Sequence, residues 1–191
     1  GDLISGYADG ISIGCIFEEH PNQRTMKKLG WNAELATTAS IISVPYDVKS
    51  PFPSVFRRIR EAYSDAVLGS YCDWNPITAG IVERNLSVST ATDRDTQLTP
   101  VICDYIRNKK PDFLFIHFDS TDGAGHKNGY GTPEHIKAII EVDKLIGEVY
   151  SAAEALEDTL FMVIADHGGT KEENGKGNHG GWTDEEKYVT F

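Results

Sequence analysis

Apolar positions along the chain follow two rhythms. From Val55 to Tyr63, and again through Leu98, Val101, Ile102, Tyr105 and Ile106, they return at three- and four-residue steps, the period of a helix with one buried face. Ser50-Pro51-Phe52-Pro53-Ser54 supplies helix-start chemistry before the first run, and Pro111-Asp112 ends the second, which extends from Asp95 to Lys110. Between them Ala66 to Tyr71 reads as a strand, and Asp73-Trp74-Asn75-Pro76 leads into a short helix and loop. Phe113 to Phe118 and Thr159 to Ala165 are nearly continuous apolar runs, as in strands buried on both faces. Thr132-Pro133-Glu134 opens a long helix with Thr as its cap; its buried stripe is Ile139, Val142, Ile146, Val149, Ala153 and Leu156, and it ends before Asp158. Asp119 to Gly131 is expected to be a glycine-rich loop.

Residues 113 to 165 therefore read as strand, helix, strand, a unit that crosses over right-handedly into a parallel sheet. The alternation predicts an α/β fold. Residues 1 to 50 carry only weak apolar runs, Ile11 to Phe17 and Ala39 to Val44, and no chemistry can be placed on them.

Composition narrows the class. The 191 residues, 40% of them hydrophobic, suffice for one domain or most of one. A formal charge of −11 without a basic block excludes a nucleic-acid duplex as the main partner. An anionic substrate would need local positive charge, which bound metals can supply. Cys15, Cys72 and Cys103 lack metal-ligand spacing and read as buried thiols. No apolar run approaches the ~20 residues of a membrane span, and no signal core opens the chain. The opening Gly1-Asp2-Leu3 and a closing Tyr188-Val189-Thr190-Phe191, which looks like half a strand, give the expectation of one domain over residues 1–191, incomplete at both ends.

The chemistry gathers after the two apolar runs. Asp122-Gly-Ala-Gly-His126 follows the first, Asp166-His167-Gly-Gly the second, and His179-Gly-Gly lies shortly beyond. A mixed Asp/His set without thiolates suits zinc or a similar divalent ion, and three protein ligands leave a position open for water or substrate. Gly123 and Gly125 are expected to permit the unusual dihedrals that bring Asp122 and His126 to one centre, and Gly168-Gly169 to turn Asp166 and His167 toward one ion. Both loops would sit at the carboxyl ends of neighbouring parallel strands, where open α/β sheets bind ligands. His117 reads as a satisfied core histidine, and His20 and His135 as solvated loop and helix-surface residues. Asp119 could bond a ligand histidine from behind, and Trp74 reads as packing.

Together the three motifs resemble the metal-binding pattern of the alkaline phosphatase superfamily, in particular its type I phosphodiesterase/nucleotide pyrophosphatase branch, over roughly residues 50 to 191. The resemblance implies a three-layer, mostly parallel sheet with helices on both faces, present here as a partial catalytic domain. It implies Asp122, His126 and His179 on one zinc and Asp166 and His167 on the other, two divalent ions with manganese the alternative to zinc. It also implies hydrolysis of phosphodiesters, pyrophosphates or phosphomonoesters, small nucleotide-type substrates, and an extracytoplasmic or secreted setting. In such a site two ions about 4 Å apart clamp the phosphoryl group while a Thr or Ser attacks it.

The family's Asp from the first strand and its nucleophilic Thr or Ser are not recognised here. Ala8-Asp9-Gly10 has no suitable strand before it, and Thr25, Thr37, Thr38 and Ser43 lack the expected surroundings. None of the cysteines begins the Cys-x-Pro-x-Arg pattern of the sulfatase branch. A non-catalytic domain or fragment that keeps its metal ligands for folding or interaction is the alternative reading.

Overall fold

The computed structural model describes residues 53–189. The readings made for residues 1 to 50, among them Cys15, His20 and the apolar runs, lie outside them, as does the start of the Ser50-Pro51 segment. The described chain forms two compact units, one from residues 53–92 and 111–116, the other from 93–110 and 117–189.

In the first unit, helix α1 (Val55–Ala62) begins at Ser54, whose hydroxyl accepts the Arg57 N–H at 3.2 Å. The Ser54 N–H donates to Glu83 at 3.0 Å, its hydroxyl donates to the same carboxylate, and Arg57 Nε donates at 3.0 Å. Glu83 is 1% exposed, and a carboxylate is held at that depth only when its oxygens are hydrogen-bonded and its charge is paired. Strand β1 (Leu68–Cys72) is buried throughout and pairs in parallel with β2 (Ser89–Thr92), Gly69 opposite Ser89 and Cys72 opposite Thr92. Helix α2 (Asn75–Gly80) connects them through a 3₁₀ turn at Arg84–Leu86. With β3 (Phe113–His117) the strand order is β2-β1-β3 in a parallel three-stranded sheet, the α/β arrangement expected. Phe56, Leu68, Val82 and Leu86 form this unit's core, and Phe113 meets Phe56 edge-on at 5.5 Å. β3 is half-buried along its length rather than buried on both faces, because it has one hydrogen-bonded neighbour among the described strands.

The second unit is built on α3 (Asp95–Lys109) and α5 (Pro133–Ala153), which pack together. Leu98, Ile102 and Ile106 on one, and Val142, Val149, Ala152 and Ala153 on the other, are buried, while Val101 and Ile139 of the expected stripes face solvent. Thr132 caps α5 as expected, accepting the His135 N–H at 3.4 Å. Cys72 and Cys103 are buried thiols.

Three expectations fail here. The glycine-rich segment after β3 is not a loop but helix α4 (Ser120–Asn128). Its start is held by Asp95, 0% exposed, whose carboxylate oxygens accept the Asp119 and Ser120 N–H groups at 3.0 Å each. A negative charge on the free N–H groups of a helix start stabilises a helix that its two glycines weaken.

The Thr159–Ala165 run is not a strand. Its backbone is irregular, and Leu160, Met162, Val163 and Ile164 are each more than half exposed. β-branched residues form a strand only where a neighbour accepts their backbone hydrogen bonds, and none of the described strands does. The segment beyond it instead folds into a short antiparallel pair, β4 (Thr170–Lys171) with β5 (Gly177–Asn178), followed by α6 (Asp184–Lys187). Tyr188 and Val189 form no strand. No helix among the described residues is long and apolar enough to cross a membrane.

Candidate metal centre

Asp122 and His126 lie four residues apart on α4, so helical geometry places both on one face. The dihedral freedom expected of Gly123 and Gly125 is not what brings them together: both sit within the helix, and a side chain at Gly123 would meet nothing. His126 Nε2 is 3.3 Å from Asp122 Oδ2, and His179 Nε2 is 3.6 Å from Asp122 Oδ1. One ligand atom from each of Asp122, His126 and His179 lies within 4.8 Å of the other two.

The His126 and His167 imidazoles are oriented from behind. His126 Nδ1 faces the Gly177 carbonyl at 3.1 Å, and a carbonyl only accepts, so Nδ1 carries the proton and the Nε2 lone pair is free to point into the cluster. His167 Nδ1 meets the Gly168 carbonyl at 2.8 Å and is fixed in the same sense. His167 Nε2 lies 3.7 Å from Asp166 Oδ2, so this pair converges as expected. The means differ from expectation: with no strand before it, the Asp166-His167-Gly-Gly turn is tied by the Gly168 N–H to the Glu186 carbonyl of α6 at 3.0 Å. That backbone passes so close to the Glu185 carbonyl that a side chain at Gly168 has no room. The two histidine-bearing segments meet where the His167 and His179 rings stack, centroids 3.8 Å apart.

His117 is not a satisfied core histidine. Its Nε2 faces Asp166 Oδ2 at 4.0 Å, and its buried Nδ1 has no hydrogen-bond partner among the described residues. Among the described residues the backing acceptor of His126 is the Gly177 carbonyl rather than Asp119. Burial pushes the Asp119 carboxyl up, the charge of His117 draws it back, and Asp122, Asp95 and Asp166 raise it further. His135 accepts the Gly131 N–H at 3.1 Å and stays apart from the cluster.

Sequence reasoning overlooked Tyr130. Its hydroxyl donates to Asp122 Oδ1. Burial, the hydrogen bond to Asp122 and the surrounding carboxylates push the phenol above its usual range, so it stays protonated and remains a donor. The signal available was a lone aromatic between Gly129 and Gly131 beside a ligand motif.

The arrangement can hold a divalent cation: three N/O donors converge, the His126 imidazole among them is oriented by a backbone carbonyl, and a second carboxylate–imidazole pair adjoins them. A model of the type I phosphodiesterase / nucleotide pyrophosphatase family matches residues 16–190. The chain is 35% identical over 94 residues, 49% of its length, to GPI ethanolamine phosphate transferase 2 of Candida albicans (strain SC5314 / ATCC MYA-2876). It is 39% identical over 70 residues, 37% of its length, to the human GPI ethanolamine phosphate transferase 3, catalytic subunit. The matched parts span 10% and 6% of those proteins. Fold, motif order and family match together place this chain in the type I phosphodiesterase / nucleotide pyrophosphatase family of the alkaline phosphatase superfamily.

Proposed function

We propose that this chain is the metal-binding part of an enzyme that moves a phosphoester group, with Asp122, His126 and His179 holding one divalent ion and Asp166 and His167 contributing to a second. The observation that carries the reading is the convergence of Asp122, His126 and His179 within 4.8 Å, coupled to the second pair by the His167–His179 stack. Imidazole and carboxylate donors without thiolate favour zinc, with manganese the alternative. When bound, such ions withdraw charge from the phosphoryl oxygens and from the attacking and leaving oxygens.

The chain's own residues prepare that chemistry. Asp122 and Asp166 bring two carboxylates to a protein of net charge −11, a field that repels an anionic phosphoester until cations neutralise it. The Gly177 and Gly168 carbonyls fix the tautomers of His126 and His167, so that each presents Nε2.

In the overall reaction a phosphoester group passes to an acceptor hydroxyl oxygen: the new P–O bond forms, the bond to the donor's leaving oxygen breaks, and the acceptor's proton ends on the departing alcohol. The relatives' names favour ethanolamine phosphate as the group transferred. Water as the acceptor, giving hydrolysis, is the second reading, supported by the family's description.

The test is elemental mass spectrometry of the purified chain dialysed against trace zinc. We expect bound zinc that falls in Asp122→Asn; a chain that takes up none would overturn the proposal.

A further inference from the structure

We propose that Tyr130 is the positioning residue of the Asp122, His126 and His179 cluster. Its ring locks the three ligand-bearing segments together, and its hydroxyl holds Asp122 Oδ1 so that the carboxylate keeps Oδ1 toward His179 and Oδ2 toward His126. The inference rests on the metal reading above.

The ring lies where three glycines make room for it. A methyl group at Gly125 would come within 2.5 Å of Tyr130 Cε1, one at Gly169 within 2.5 Å of Cε2, and one at Gly177 within 2.6 Å of Cδ2. Gly125 thus abuts one edge of the ring, and Gly169 and Gly177 the other. These glycines belong to the Asp122–His126 helix, the turn after Asp166-His167 and the strand before His179. A side chain at Gly125 or Gly169 would have to displace the ring, and one at Gly177 the Gly125 carbonyl as well, because interiors pack without overlap.

Tyr130 is itself aimed by its neighbours. Gly129 (φ 87°) and Gly131 (φ 75°) both adopt the left-handed region that glycine enters freely, making the turn that carries the ring inward. The Gly129 N–H closes on the Gly125 carbonyl at 2.7 Å, and the His135 ring backs Tyr130 edge-on at 5.1 Å.

The consequence is geometric. A carboxylate free to rotate presents either oxygen to a cation. With Tyr130 donating to Oδ1, the Asp122 plane is fixed, and Oδ2 stands 3.3 Å from His126 Nε2. Hydrogen bonds that orient a ligand in this way contribute to affinity much as the ligands do.

The experiment is zinc titration of the chain by chelator competition, with the visible absorption of the cobalt-loaded chain as a second readout of ligand geometry. For Tyr130→Phe we expect a wild-type circular dichroism spectrum, zinc affinity lower by about 10- to 100-fold, and an altered cobalt spectrum. Wild-type affinity and cobalt spectrum in Tyr130→Phe, with binding lost in Asp122→Asn, would overturn the role of Tyr130 and leave the metal site standing. Equal zinc affinity in Asp122→Asn and the wild type, or no uptake by either, would overturn the metal reading and this inference with it. Should Tyr130→Phe fail to fold, Gly169→Ala tests the same point, since the nearest atoms its added methyl meets are those of the Tyr130 ring. Weakened zinc binding there supports the inference, and unchanged binding overturns it.

Discussion

His167 and His179 stack with their ring centroids 3.8 Å apart and their planes inclined by 21°. They come from different motifs, and the contact brings together two Asp/His groups that the sequence presents separately. It also makes the sets unequal in their response to substitution.

Asp122→Asn should lower metal content at one site while Asp166→Asn lowers it mainly at the other, since their donor groups face different partners. His179→Ala should weaken both, because it removes a donor of the first set and the ring on which His167 rests. Zinc stoichiometry of the three variants decides the matter. Equal loss of both ions in every variant would count against separate sites.

Asp95→Ala should destabilise the chain by about 2 kcal/mol or more, since it strips the partner from the Asp119 and Ser120 N–H groups and leaves a hole at a fully buried position. Chemical denaturation measures this directly. Because those groups open α4, zinc affinity should fall alongside stability; an unchanged unfolding midpoint would mean that α4 does not depend on this cap.

Glu186 sets an acid limit. Some burial acts to raise its carboxyl, but hydrogen bonds from the Thr183 hydroxyl and N–H and the Gly181 N–H, together with His179, bring the net shift below the usual 4.5. A group depressed in the folded state contributes stability above its unfolded value and loses it as pH falls through its folded value. The turn carrying His179 should therefore loosen at and below about pH 4.5, and Glu186→Gln should show the loosened behaviour already at pH 7. Amide exchange at Gly181 and Thr183 across pH 3 to 7 reads it; wild-type-like protection in Glu186→Gln would refute the role of the charge.

Turnover is expected to be weak. The zinc-loaded chain should hydrolyse bis-p-nitrophenyl phosphate very slowly or not at all, because its sequence offers no recognised nucleophile. Brisk zinc-dependent release of nitrophenolate, abolished by substituting Thr25, Thr37, Thr38 or Ser43, would place the nucleophile in this chain.

Local signals in the sequence determined much of this. Apolar periodicity located α1, α3 and α5 because a helix advertises its own buried face within a few residues, and Ser54 and Thr132 marked two starts by cap chemistry that needs no distant partner. The candidate site residues were also proposed from the sequence, since Asp and His beside glycine carry their chemistry with them, and the structure brings Asp122, His126 and His179 together. What the tertiary structure decided were relationships across long separations. Glycine content argued for a loop from Asp119 to Gly131, and the carboxylate of Asp95, more than twenty residues earlier, holds the start of a helix over Ser120–Asn128. The run at 159–165 has every local property of a strand, yet a strand's backbone groups need a partner that local sequence cannot supply. Gly125 and Gly169 read as freedom for the backbone, and the fold uses them, with Gly177, as space for the ring of Tyr130, because which side chain fills a gap is fixed only when separate segments pack.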